Sequence, residues 1–266
     1  MSFDVKIWGA RGSMPCTGAS HATYGGDTAC IELTIDTRRV VIDAGTGLAQ
    51  LGLTHPNRAY ACDLLLSHGH LDHVQGIPFF APLYRGDSEI RLWRADPDPL
   101  APLLDPPLSP VSLDLMRGLT DIHIVQAGDV LDLGDGITVR TLALNHPGGS
   151  LGFRVEAQGK VFTTLFDHEP GIVAAIDAAI PDFARNSDLL VVDATFDATD
   201  LASKRGWGHG TWEQACDIAK SCGARQLLLF HHDPRNDDVA LDEVERAAQA
   251  VFSAASCARQ GSTVSL

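Results

Sequence analysis

The chain has 266 residues, 45% of them hydrophobic and 20% charged, with 20 Lys+Arg against 34 Asp+Glu and a net charge of −14. This composition excludes a disordered chain, and the acidic balance argues against a general binder of nucleic acid or anionic membrane, which needs a broad basic face. Area scaling lets about 70% of the unfolded surface be buried, enough for a large core.

The first residues, MSFDVKIWGARGS, carry charge early and lack a long apolar run, so no signal peptide is expected. No eighteen apolar residues run together, so no membrane span is expected either. The six cysteines show no CxxC spacing and read as free thiols in a reducing cytoplasm.

In chain order, Val5–Trp8, Ala29–Ile35, Arg39–Asp43 and Leu64–Ser67 read as strands, the second and third joined as a hairpin by the polar turn after Asp36. Residues 95–120 depart from this pattern. Six of the 14 prolines lie between Pro97 and Pro110, which predicts an ordered excursion without regular structure, held down by Leu100, Leu103, Leu104 and Leu108. Ile122–Gln126, Ile137–Leu144, Leu151–Glu156 and Lys160–Leu165 form a second set of strands, with Gln158-Gly159 turning the last hairpin. Ile172, Ile176, Ile180 and Phe183 keep helical spacing up to Pro181. Leu189–Asp193 and Gln226–His231 read as buried strands. Between them Trp212, Ala215, Ala219 and Cys222 form a helix stopped by Gly223. Leu241, Val244, Ala248 and Val251 form another, capped by Asp237 or Asp238. Hairpins followed by mixed strands and helices predict an α/β fold of two sheets with helices packed outside, in a single domain over residues 1–266.

Chemistry concentrates in Leu64–Gly76, LLLSHGHLDHVQG. Residues i and i+2 on an extended chain point the same way, so His68 and His70 suit one ion. Asp72 and His73, at the turn into a helix, suit a second. Imidazole with carboxylate is a ligand set for Zn²⁺ and similar divalent metals. Three further candidates stand at strand ends: His146 before Pro147-Gly148-Gly149, Asp167 in FDHEPG, and His231 in LLLFHHDP. Asp167 has two oxygens and can bridge two ions roughly 3.5–4 Å apart. His168 and His232 read as neighbours rather than ligands. Asp43-Ala44-Gly45-Thr46-Gly47 lacks the spacing of a phosphate-binding loop and reads as a turn that lets backbone approach the metal loop. Arg11-Gly12-Ser13 reads either as an anion contact or as a solvated turn. Trp212 reads as packing, whereas Trp207 is open between packing and substrate stacking.

SHGHLDH resembles the H-x-H-x-D-H motif of the metallo-β-lactamase superfamily. IWGARGSMP, YGGDTAC, DAGTG, HGHLDHVQGIPFF, HPGGSLGFR, FDHEPG, DATF, GWGHGTWEQA and LLLFHHDPR extend the resemblance in order along most of the chain. Together they resemble the ribonuclease-Z-like and cyclic phosphodiesterase branch, in particular the phosphoribosyl cyclic phosphate phosphodiesterases. The resemblance implies a four-layer αβ/βα sandwich with metals at one edge between the sheets. It implies that His68, His70 and His146 hold one metal and Asp72, His73 and His231 the other, with Asp167 bridging. It also implies that His209 meets the substrate phosphate and that Asp193 orients it. Two departures stand out: Gly210 replaces the usual Ser, and Val192 replaces a His of the tRNA-processing members. No Gly/Pro-rich arm of the kind those members use on tRNA is found.

The expected activity is hydrolysis of a small cyclic phosphate or nucleotide phosphodiester by a hydroxide held between two divalent ions. Zn²⁺ is expected, with Mn²⁺ and Fe²⁺ as alternatives on the same ligands. The rival readings are a carboxylic ester, lactone or thioester hydrolase, and a non-catalytic metal-dependent ligand-sensing module. The expected partner is a small anionic phosphodiester, without general nucleic-acid or membrane binding. A homo-oligomer stays open.

Overall fold

The structure, a computed structural model, describes residues 2–95, 100–104, 109 and 111–266. Its strands run β1 (Phe3–Gly9), β2 (Cys30–Ile35), β3 (Arg38–Ile42), β4 (Ala61–Leu65), β5 (Glu89–Arg94) and β6 (Leu119–Ile124), then β7 (Val130–Gly134), β8 (Ile137–Leu144), β9 (Ser150–Ala157), β10 (Lys160–Leu165), β11 (Leu189–Asp193), β12 (Leu227–Phe230), β13 (Ala255–Cys257) and β14 (Thr263–Ser265). They form two seven-stranded sheets, ordered β14-β1-β2-β3-β4-β5-β6 and β13-β12-β11-β10-β9-β8-β7. Each sheet is mixed: β1–β2–β3 and β7–β8–β9–β10 pair antiparallel, while β3–β4–β5–β6 and β10–β11–β12–β13 pair parallel. Both hairpin turns expected from sequence are present. Asp36 lies at φ 51°, and Gln158 and Gly159 at 54° and 72°, the left-handed pair that a tight turn between twisted strands requires.

The helices are α1 (Thr46–Leu53), α2 (Leu71–Val74), α3 (Ala101–Leu104), α4 (Ala174–Phe183), α5 (Ala198–Lys204), α6 (Trp212–Cys222) and α7 (Asp238–Val251). α6 opens with a reciprocal capping box between Thr211 and Gln214 and closes on Gly223 at φ 66°. Asp237 caps α7 by accepting from the Ala240 N–H.

Apolar side chains sort into three groups. Val5, Ile7, Leu33 and Ile42 of one sheet meet Phe153, Val155, Phe162 and Val191 of the other. Leu48 and Leu51 of α1 cover the outer face of the first sheet at Leu64 and Ile90. Ala215, Ala219, Leu241 and Ala248 of α6 and α7 cover the second at Leu190 and Leu229. The layers are therefore helix, sheet, sheet, helix, as the resemblance implied.

Several expectations need correction. α1, β5, β7, β13 and β14 had no sequence assignment. β5 was missed because Arg91 interrupts its apolar run; its guanidinium donates to buried Asp63 at 2.6 Å. α4 begins at Ala174, leaving Ile172 outside it and 48% exposed, and Pro181 lies inside its last turn. Regular structure does occur between 95 and 120, in α3, and Leu100, Leu104 and Met116 are buried against the α1 side of the first sheet. The rest of that expectation, at residues 96–99, 105–108 and 110, lies outside the described residues. Among the described residues no helix is long and apolar enough to cross a membrane.

Candidate metal centre

The seven ligand candidates converge on one edge shared by both sheets. β4 ends at Leu65, and His68 follows after Leu66 and Ser67. His70 is the extended residue that opens α2, whose first turn presents Asp72 and His73. β8 delivers His146, β10 delivers Asp167 and β12 delivers His231, each one or two residues past the strand end. Asp167 and His231 sit at φ 50° and 60°, and Asp43, after β3, at 61°. Left-handed backbone at a non-glycine residue costs about 1–2 kcal/mol, and here it turns three side chains off strand ends into one site.

The geometry divides at the Asp167 carboxylate. One oxygen, Oδ2, lies 3.5 Å from His68 Nε2 and 3.4 Å from His146 Nε2, and His146 Nε2 lies 2.9 Å from His70 Nδ1. The other, Oδ1, lies 3.3 Å from both His73 Nε2 and His231 Nε2. Asp72 Oδ2 closes the second group at 3.4 Å from His73 Nε2 and 3.1 Å from His231 Nε2. Ligands about 2.0–2.2 Å from a tetrahedral ion stand about 3.3–3.6 Å apart, so most of these separations suit a shared ion.

Two buried atoms, His68 Nε2 and Asp167 Oδ1, have no hydrogen-bond partner, an arrangement a cation would satisfy. Charge gives the same indication. Burial opposes ionisation of Asp167, yet His231, His73 and His68 hold its carboxyl well below the usual carboxylate range. Burial likewise opposes a proton on His73, but Asp167, Asp72 and Asp43 raise its pKa well above the ordinary value. Burial lowers His68 and His146. The cluster thus favours positive charge, which a divalent ion would supply in place of a second proton on His73, leaving its Nε2 lone pair free to bind.

Hydrogen bonds behind the ligands fix their tautomers. His73 Nδ1–H donates to Asp43 Oδ2 at 2.7 Å, and His146 Nδ1–H to the Gly208 carbonyl at 2.9 Å. The Ser67 hydroxyl donates to Asp43 Oδ2 at 2.8 Å and so accepts from His68 Nδ1–H at 3.0 Å. Thr195 Oγ1 donates to Asp193 Oδ1 and accepts from His231 Nδ1–H, both at 2.9 Å. In all four rings Nε2 is left with its lone pair facing the cluster.

His209 lies over the second group, its ring stacked on His231 with centroids 4.7 Å apart. Its Nδ1–H donates to Asp193 Oδ2 at 2.7 Å. Burial works against a charge there, but Asp193, then Asp167 and Asp72, raise the pKa to about 9. The raised pKa favours a proton on His209 at neutral pH, and its place beside Asp167, Asp193 and His231 also permits ligation.

Other candidates resolve differently. Arg11 neither faces solvent nor offers an anion site: it is fully buried, donating to the carbonyls of Gly25, Asp233 and Asn236. Its neighbour Ser13 gives its backbone N–H to Asp72 Oδ2 at 2.7 Å. Gly45 does admit the metal loop, because a Cβ there would meet the Asp72 carbonyl at 2.3 Å. His168 and His232 are buried beside the site, accepting from the Asn145 N–H and donating to the Ala258 carbonyl. Trp207 is 62% exposed, whereas Trp212 packs against the helix side of the second sheet.

Sequence reasoning missed Asp43 and Glu169. Asp43 also accepts from the Ser67 N–H at 2.7 Å. Glu169 is buried and accepts from the backbone N–H groups of Gly206 and Gly208, anchoring the loop that holds His146 and leads into His209. The available signal was a carboxylate within a glycine-bearing turn: DAGTG for Asp43 and HEPG for Glu169.

Residues 38–232 match the model of the family described as a beta-lactamase superfamily domain. Ribonuclease Z of Bradyrhizobium sp. (strain ORS 278) is 28% identical over 271 residues, covering 82% of this chain and 86% of that protein. Among solved structures, the metallo-beta-lactamase fold protein YhfI of Bacillus subtilis superposes with a TM-score of 0.77 at 22% identity, covering 100% of this chain and 99% of that one. A diphosphatase from the PhnP family superposes with a TM-score of 0.75 at 18% identity, covering 100% and 98%. These structural likenesses concern the fold.

Proposed function

This chain belongs to the beta-lactamase superfamily, and from that membership we propose that it is a dinuclear metal-dependent phosphodiesterase acting on a small cyclic phosphate or nucleotide phosphodiester. The observation that carries this is the Asp167 carboxylate, with one oxygen facing His68 and His146 and the other facing His73 and His231. His68, His70 and His146 would hold one ion, and Asp72, His73 and His231 the other, with Asp167 shared. Divalent ions there would lower the pKa of water and neutralise charge on phosphoryl oxygens. The chain's own residues do the rest. Asp43, Ser67, Thr195 and the Gly208 carbonyl keep the imidazole lone pairs directed inward. Asp193 holds His209 in one orientation, with Nε2 free to donate to a phosphoryl or leaving oxygen as charge develops.

A charged donor beside the metals suits a phosphodiester better than a carbonyl, and the likeness to ribonuclease Z supports the same preference. That likeness also favours a second reading, an RNA phosphodiester, which the net charge of −14 opposes for a long polyanion. The test is a substrate panel on protein loaded with Zn²⁺, Mn²⁺ or Fe²⁺: a bis-aryl phosphodiester, 2′,3′- and 3′,5′-cyclic nucleotides, a cyclic ribose phosphate, short RNA, a lactone and a thioester. The proposal expects turnover of small phosphodiesters. Turnover confined to the lactone or thioester would overturn it.

A further inference from the structure

Beside the metal cluster, on the His68 and His70 side, lies a cavity of 460 Å³. It opens where the two sheets end together, between Val125 after β6 on one side and Ala143 of β8 and Leu151 of β9 on the other. Packed sheets stand about 10 Å apart, so a cleft between their edges is narrow in one direction and suits something flat. Its volume falls within the usual range of small-ligand pockets, roughly 300–1,000 Å³.

The two histidines are the titratable side chains of the described lining. Among the described residues it holds no Lys, Arg, Asp or Glu. A second phosphate on the substrate would therefore lose hydration in this cavity with no Lys or Arg side chain of the described lining to meet it. The polar groups of Ser67 and Ser150 are already used, by Asp43 and by the Phe166 carbonyl. Gln126 differs: it is exposed, and its side-chain amide makes no hydrogen bond among the described residues. A primary amide both donates and accepts, which matches the edge of a heterocyclic ring.

We propose that this cavity binds an uncharged planar ring attached to the phosphodiester, with Gln126 at the ring's polar edge, so that the enzyme favours ring-bearing monoanionic diesters over sugar phosphates with a second phosphate. The proposal rests on the phosphodiesterase reading above and specifies its substrate class.

The test compares bis(4-nitrophenyl) phosphate with methyl 4-nitrophenyl phosphate on the metal-loaded full chain, each rate divided by that ester's uncatalysed rate. Burying the second ring should favour the diaryl ester by about 10- to 100-fold in kcat/KM. Ala143→Phe, which fills the cavity, should erase that preference and leave the methyl ester's rate unchanged. A preference that survives the filled cavity overturns the proposal while leaving the phosphodiesterase reading intact. No turnover of either ester by metal-loaded wild type overturns both. A second comparison needs no variant: a nucleoside 2′,3′-cyclic phosphate should be a better substrate than its 5′-phosphorylated form, and the reverse order overturns the proposal.

Discussion

Replacing His209 with alanine removes one donor from above the candidate metal centre while sparing all seven proposed ligands. In the native chain its ring is oriented by the 2.7 Å bond to Asp193 and by stacking on His231. With its pKa raised to about 9, it carries a proton at neutral pH. Loss of one such donor to developing negative charge typically costs about 10²–10³ in kcat, or about 2.7–4 kcal/mol of barrier. His209→Ala should lower phosphodiester kcat by that factor with metal content unchanged, as read by steady-state kinetics and elemental analysis of the same preparation. Asp193→Asn should cause a smaller loss, and the double variant should be non-additive because the pair acts as a unit. Without metal the protonated form predominates below about 9, so kcat should show an alkaline limb that is absent in His209→Ala. Metal ions bound beside the ring would move that limb to lower pH. For stability, the pair's contribution is complete below the unfolded-state value of about 6.5 and is lost as pH rises through the folded value. Near-wild-type turnover by His209→Ala with both metals bound would refute the donor role and favour the carbonyl-hydrolase reading.

Asp43→Asn keeps a residue that tolerates left-handed backbone but removes the charge behind His73 and Ser67, so metal affinity measured by competition with a chelating dye should weaken by about 10- to 100-fold. Gly208→Ala should lose metal and activity together, because the residue lies at φ 93° and its Cβ would meet His146 Nδ1 at 2.2 Å. Stripping metal with a chelator should lower Tm by about 5–10 °C relative to protein at a hundredfold excess of metal over Kd, followed by calorimetry. An unchanged Tm would argue that the site holds no ion tightly.

The proposed metal ligands were legible in sequence for two different reasons. His68, His70, Asp72 and His73 lie within six residues, so local geometry alone brings them together. His146, Asp167 and His231 were recognisable only as polar residues at the ends of apolar strands, and the fold then places those ends at one edge. Asp43 was not legible in this way. Its role depends on α2 packing back onto the DAGTG turn, where the Ala44 N–H meets the His73 carbonyl at 2.7 Å. Arg11 was misread because its three carbonyl partners come from segments as distant as Asn236, contacts that no local pattern encodes. The short edge strands β13 and β14, three residues each, are defined by pairing with β12 and β1 rather than by any periodicity of their own. α1 was hidden because its short, glycine-bearing sequence, TGLAQLGL, reads as turn until burial of Leu48 and Leu51 gives it a reason to be helical.

The central claim is that one carboxylate, Asp167, is shared between two metal ions. Anomalous diffraction from crystals grown with Zn²⁺, recorded on both sides of the zinc edge, locates the ions directly. The account predicts two peaks, one among His68, His70 and His146 and one among Asp72, His73 and His231, each next to a different oxygen of Asp167. A single peak, or a second ion held by His209 and Asp193 in place of His231 and Asp72, would contradict it.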